Sequence, residues 1–322
     1  MDMKKRDAVI KVKNLSIGYK NVNIVKEISL EVRQGEILGI AGESGSGKTT
    51  LLRALMGIRK EEMNMSGTVR FLKKDMVSLT RKELSALYGK HISMIPQNAM
   101  LSLDPLFSIS SLVHETLRAH GDKITRKESD AIASSIMTSL LFDDPKRVLE
   151  SYPFELSGGM AQRVAVLLSI LKSPSLLLGD EPTSALDGTS QYHLINQLKL
   201  LKEQMELSMI LISHNLAVLA ELADEIAIMY AGRIVEYGKR NEILHKPVHP
   251  YTIALLDAVP KRGGSMSDGL KGVPPAFEEE ISGCAFAERC PQKIEACTKE
   301  EILEISVSAS HRVRCIRVKE ML

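Results

Sequence analysis

Residues 36–57 read EILGIAGESGSGKTTLLRALMG. Glu36 to Gly42 is a largely apolar run that ends in glycine, the pattern of a buried strand. From Thr49 onward, leucines recur at helical intervals. Between them lie Gly42, Glu43, Ser44, Gly45, Ser46, Gly47, Lys48 and Thr49, a glycine-rich loop closed by a lysine and a hydroxyl. In a strand, glycine loop and helix of this kind, backbone N–H groups turn inward around phosphates, an approach that side chains at the glycines would block. Lys48 then reaches the terminal phosphates, Thr49 offers its hydroxyl to Mg2+, and the helix start adds its positive dipole end. The stretch from Gly42 to Thr50 is therefore read as the binding site of a nucleoside triphosphate.

The alternating runs IKVKNLSIGY (10–19) and ISLEVRQG (28–35) predict two strands upstream. Downstream, SLLLGD (175–180), SMILIS (208–213) and EIAIMYAG (225–232) are strand signals separated by helical stretches, the alternation of a parallel sheet. Thr125 and Glu128 stand at capping-box spacing before a helical pattern, and residues from about 98 to 163 read as a helical insert. The expected fold is α/β: a main body over residues 1–240 with a helical subdomain, a linker with one short amphipathic helix over 241–275, and a small cysteine-bearing extension over 276–322.

At 322 residues the chain exceeds one average domain. Its 42 basic and 40 acidic residues are scattered, which argues against a nucleic-acid footprint. No window approaches the roughly 20 apolar residues that span a bilayer, and the amino end lacks the apolar stretch of a signal peptide. The expectation is a protein that stays in the compartment where it is made, with Lys4, Lys5 and Arg6 as a solvated leader and any membrane role arising through partners.

Two further stretches carry chemistry. SLLLGDEP (175–182) ends a buried strand in Asp180, placed to hold Mg2+ through water, and Glu181, placed to orient an attacking water. Adjacent carboxylates repel each other unless a cation sits between them. ELSGGMAQRV (155–164) opens a helix with Ser157, Gly158, Gly159 and Met160, a second anion site made of a hydroxyl and bare N–H groups. One nucleotide does not need two such sites.

With these residues in place, the sequence resembles the ATP-binding-cassette (ABC) ATPases over about residues 8–260. In that family the Ser157 loop would complete the nucleotide site of a second, head-to-tail ATPase subunit. The resemblance implies a P-loop NTPase fold of ABC type and a role at several other positions. Tyr19 matches the aromatic that stacks on adenine, and Gln97 the glutamine between sheet and helical subdomain, an Mg2+ ligand together with Thr49 and Asp180. Ser184, Ala185, Leu186 and Asp187 match the loop facing the partner, and His214 the switch histidine that contacts the terminal phosphate; with Glu181 it forms the catalytic pair. Gly179 stands where a large apolar residue usually precedes the acidic pair, so looser packing is expected there. The segment NAMLSLDPLFSI (98–109) also departs in its first residues, without loss of a catalytic group.

Met160, SLDPLFSI and HPYTIALLDAVP (249–260) together look like the ATPase subunits of oligopeptide, dipeptide and nickel importers. That likeness implies two transmembrane permease subunits, an extracytoplasmic substrate-binding protein, a related but different partner ATPase, and a place on the cytoplasmic face of the inner membrane. The competing reading is a non-transport ABC ATPase acting on DNA or ribosomes.

All four cysteines, Cys284, Cys290, Cys297 and Cys315, fall in the last forty residues. Their spacing matches neither a zinc ribbon nor a usual ferredoxin run. In a reducing cytoplasm, four clustered thiols suit zinc, a four-iron cluster or unligated burial. Similar extensions in the family are associated with a [4Fe-4S] cluster. Arg289 and Arg312 are candidates to offset thiolate charge, and the tail is expected to be a clip or redox sensor apart from hydrolysis, so that Cys290→Ser spares ATP binding.

Overall fold

The computed structural model describes residues 7–259, 270–279 and 281–320. The Lys4, Lys5 and Arg6 leader and the linker stretch 260–269 lie outside the described residues. Two compact units are present. One is built from Val32–Glu36, Ser78–Leu211 and the stretch before Ile10; the other from Ile10–Glu31, Ile37–Val77 and everything from Ile212 onward.

The second unit holds the phosphate loop. Its first sheet runs in the order Val22–Arg33, Ala8–Tyr19, Met63–Phe71, Lys74–Asp75. Alternation along Ala8–Tyr19 buries Ile10, Val12, Leu15 and Ile17, the face that the sequence pattern marks as apolar. Its second sheet runs Ile305–Ser306, Arg312–Val313, Arg233–Lys239, Glu225–Tyr230, Ile37–Ala41. Ile37–Ala41 is buried at every position and pairs in parallel with Glu225–Tyr230, setting Ala41 opposite Ile228. The cysteine-bearing tail thus extends the sheet whose strand Ile37–Ala41 leads into the phosphate loop, through Arg312–Val313 on Arg233–Lys239.

The other unit carries the strands Ser208–Ser213, Leu176–Asp180 and Ile92–Ile95 in that order, the last two parallel. Five α-helices follow between Ala99 and Ile170. Arg126–Ser139 starts in the capping box that its sequence predicts: Thr125 Oγ1 accepts from the Glu128 N–H, while the Glu128 carboxylate accepts from the Thr125 N–H at 2.8 Å. The looser packing expected at Gly179 is not found. A Cβ there would stand 2.7 Å from Leu211 Cδ2 and 3.3 Å from the Pro182 ring, so those two side chains fill the space a larger residue would take.

Among the described residues no helix is long and apolar enough to cross a membrane.

Candidate nucleotide-binding site

In the second unit, the loop after Ala41 is forced by sterics. Gly42 has φ 155°, and a Cβ would lie 2.1 Å from the Met229 carbonyl oxygen. Gly47, at φ 99°, begins the helix Lys48–Leu55 with no side chain capping it, which leaves the first-turn N–H groups for an anion. Lys48 is 5% exposed, and its ammonium donates to the carbonyls of Gly42 and Glu43 at 2.8 and 2.7 Å, folding back over the loop that it serves. Ser46 is buried, Ser44 and Gly45 are exposed, and Thr49 and Thr50 lie half-buried on the first helical turn.

Glu43 is the most heavily tethered residue of the loop. Its backbone N–H donates to Tyr251 Oη at 2.9 Å. Its carboxylate accepts from Arg289 Nη1 at 2.6 Å and Nη2 at 2.9 Å, and Arg289 Nη1 also donates to Tyr230 Oη. The Glu43 hydrogen bonds push the Arg289 pKa still higher. Tyr230, Tyr251 and Phe286 pack ring on ring, with centroids 4.6 to 5.4 Å apart. Sequence reasoning missed both distant partners of Glu43, Tyr251 and Arg289. The signal was a carboxylate inside an anion-binding loop, which demands a cation nearby.

Tyr19 ends its strand 39% exposed, with the Lys20 ammonium 5.8 Å from its ring centroid, and so offers a ring face. His214 follows Ser208–Ser213 and is exposed; beside it, Ser213 Oγ accepts from the Asn215 N–H, and Asn215 caps Leu216–Leu222.

In the other unit, the parallel register sets Ile95 opposite Gly179. Gln97 and Glu181 each follow two residues later, at the carboxyl edge of adjacent strands. Asp180 is 9% exposed. Glu181 takes φ 49°, a left-handed conformation costly for a residue with a Cβ and characteristic of functional sites; the Ser184 N–H and hydroxyl both donate to its carbonyl. Ser157 caps Gly158–Ile170 by accepting from the Met160 N–H, and Ser157 and Gly158 are exposed. Gly159 faces Ser190 closely, since a Cβ would meet Ser190 Oγ at 2.9 Å. Gln162, on the same helix, donates to the Pro96 carbonyl beside Gln97. Asp187 caps Gly188–Met205 through the N–H groups of Thr189 and Ser190, and these bonds, with that from the Ser190 hydroxyl, lower its pKa. Ser184, Ala185 and Asp187 are exposed and Leu186 half-buried, as a loop offered to another molecule would be.

Residues 25–184 match the ABC transporter family, and residues 235–297 match the family described as oligopeptide/dipeptide transporter, C-terminal region. The oligopeptide transport ATP-binding protein OppD of Escherichia coli (strain K12) is 35% identical, with 98% of this chain and 95% of OppD covered. The chain belongs to the ABC transporter ATPases. The dipeptide transport ATP-binding protein DppD of Haemophilus influenzae is 38% identical over 96% of this chain and 95% of that protein. Among solved structures, the ABC cassette MJ0796, a dimer in a post-hydrolysis state bound to ADP and Pi, superposes with a TM-score of 0.64 at 25% identity, covering 72% of this chain and 98% of that one. As an ABC ATPase, this protein binds and hydrolyses ATP.

The C-terminal match begins in the strand Arg233–Lys239 and includes Tyr251, Arg289 and three of the cysteines. All four cysteines are free thiols that line one small cavity, together with His249, Phe286 and Arg317. Burial pushes Cys284 up to about 11, with smaller pushes from its three fellow thiols, and raises Cys290 and Cys315 as well. Among the described residues no group of three or more His, Cys, Asp or Glu side chains is arranged to hold a metal ion. The predicted cations are corrected. Arg289 is committed to Glu43, and Arg312 stacks 4.3 Å from the Tyr237 ring centroid while donating to the Ser29 carbonyl. The cation at the cavity is Arg317, which lowers the Cys290 pKa against the effect of burial. Arg289 joins the tail to the nucleotide loop.

Proposed function

We propose that this chain is the ATP-hydrolysing subunit that drives uptake of oligopeptides or dipeptides. The observation that carries this reading is the match of residues 235–297 to the peptide-transporter C-terminal region, whose Tyr251 contacts the phosphate loop directly. In this reading Gly42 to Thr50 hold the phosphates, Lys48 neutralises the terminal ones, and Tyr19 stacks on adenine. Mg2+ falls to Thr49, Gln97 and Asp180. Glu181 polarises the attacking water, and His214 grips the terminal phosphate. Ser157 to Met160 and Ser184 to Asp187 serve the site of a second, related ATPase, and closure of the pair on two ATP molecules drives two permease subunits at the cytoplasmic face of the inner membrane. An extracytoplasmic binding protein delivers the peptide.

Four free thiols around one cavity are the donor set that a [4Fe-4S] cluster takes, and we propose that group for it. A bound cluster would supply a one-electron couple. Cys284, Cys290, Cys297 and Cys315 would hold it.

The test is gentle purification of the tagged chain from its own membranes, followed by mass spectrometry. Two multi-span proteins, a second ABC ATPase and a peptide-loaded binding protein are expected. Ribosomes or nucleic acid as the sole company would overturn the reading.

A further inference from the structure

Glu43 presents an anomaly. A loop that cradles a tetra-anionic nucleotide by its N–H groups gains nothing from a carboxylate, which repels the incoming phosphates unless it is neutralised. The neutralising group comes from the far end of the chain, 246 residues away. Arg289 holds both carboxylate oxygens in a fork, the strongest and most directional form of this pair, and its side chain is only 5% exposed against 25% for Glu43. Three further contacts orient the guanidinium: the Tyr230 hydroxyl at 3.2 Å, the Lys271 carbonyl, which accepts from Nε at 2.9 Å, and the rings of Tyr230 and Phe286, each 5.8 Å from ring centroid to guanidinium carbon. The Arg289 backbone belongs to the short turn Ala287–Arg289, whose flanking Cys284 and Cys290 both line the cysteine cavity. One turn of chain therefore separates the cavity wall from the phosphate loop.

We propose that Arg289 is a positioning residue for ATP binding: its forked hold on Glu43 neutralises and aims the phosphate loop, and so couples that loop to the cysteine-bearing tail. The inference rests on the reading of Gly42 to Thr50 as the ATP site. Without the fork, the Glu43 carboxylate faces the phosphates unpaired. With it, the Glu43 backbone stays where Tyr251 and Lys48 hold it, N–H on one side and carbonyl on the other.

The experiment measures Mg-ATP affinity of the full-length chain by competition with a fluorescent ATP analogue. Arg289→Met is expected to weaken binding about tenfold, with kcat at saturating ATP within about twofold of the parent. Adding Glu43→Gln in the same chain removes the unpaired charge and should recover most of the loss; a tail that merely needs Arg289 to fold would not be rescued from the loop side. Arg289→Lys keeps the charge but loses the fork and should fall between. Affinity of folded Arg289→Met within twofold of the parent, or a double variant as weak as the single, would overturn the proposal. Should Arg289→Met fail to fold, Arg289→Lys and its Glu43→Gln double carry the same comparison. Lys48→Ala separates the two levels. If it binds ATP like the parent, the loop reading falls and this inference with it. If it does not bind while Arg289→Met binds like the parent, the inference alone falls.

Discussion

The hydroxyl of Tyr251 lies 2.9 Å from the backbone nitrogen of Glu43 and accepts its hydrogen bond, so a helix 208 residues downstream fixes the second residue of the phosphate loop. The ring is wholly buried, and burial raises the pKa of its hydroxyl, which stays protonated throughout the physiological range. Tyr251→Phe keeps the ring stack and deletes the acceptor. We expect a loss of about 1 kcal/mol in stability and a weakening of ATP binding by a few-fold, read by chemical denaturation and nucleotide titration.

Glu181→Gln keeps the shape of the side chain and removes its basicity. ATP binding should persist while turnover falls by about 10²- to 10⁴-fold, the usual contribution of a general base. Phosphate-release assays with the reconstituted ATPase pair check this, and near-normal turnover would refute the role given to Glu181.

Ser157→Arg places a long cation on the exposed cap of the helix Gly158–Ile170. Binding of ATP to the chain's own phosphate loop should be unchanged. Hydrolysis by the assembled pair should drop at the partner's site, visible as loss of about half or more of the total activity if the two sites fire together.

Gly179→Leu is expected to destabilise the protein by about 1–3 kcal/mol, because the added side chain must displace Leu211 and Pro182 from space already filled. Combining it with Leu211→Ala should recover part of that loss, measured as the shift in thermal midpoint.

Anaerobic treatment of the purified chain with iron and sulfide should give a broad visible absorbance and, on one-electron reduction, a paramagnetic signal. Changing any one of Cys284, Cys290, Cys297 or Cys315 to Ser should diminish both. Binding of zinc in preference to iron under the same conditions would refute the cluster.

What the sequence alone determined is whatever depends on neighbours along the chain. Gly42 and Gly47 are legible because a glycine loop between a buried strand and a helix has few other uses. Thr125 with Glu128 and Ser157 with Met160 are legible because a helix cap is closed within three residues. Glu181 is legible as the acid after a buried strand, although its left-handed backbone is not. The tertiary structure alone decided which distant groups meet. No local pattern says that Arg289, beside Cys290, turns away from the thiols to clamp Glu43, or that Arg317 takes its place at the cavity. Nor does the sequence show that Leu211 fills the gap at Gly179. Such pairings depend on how the strands order themselves in a sheet, and side chains hundreds of residues apart leave no periodicity or spacing by which they could be read.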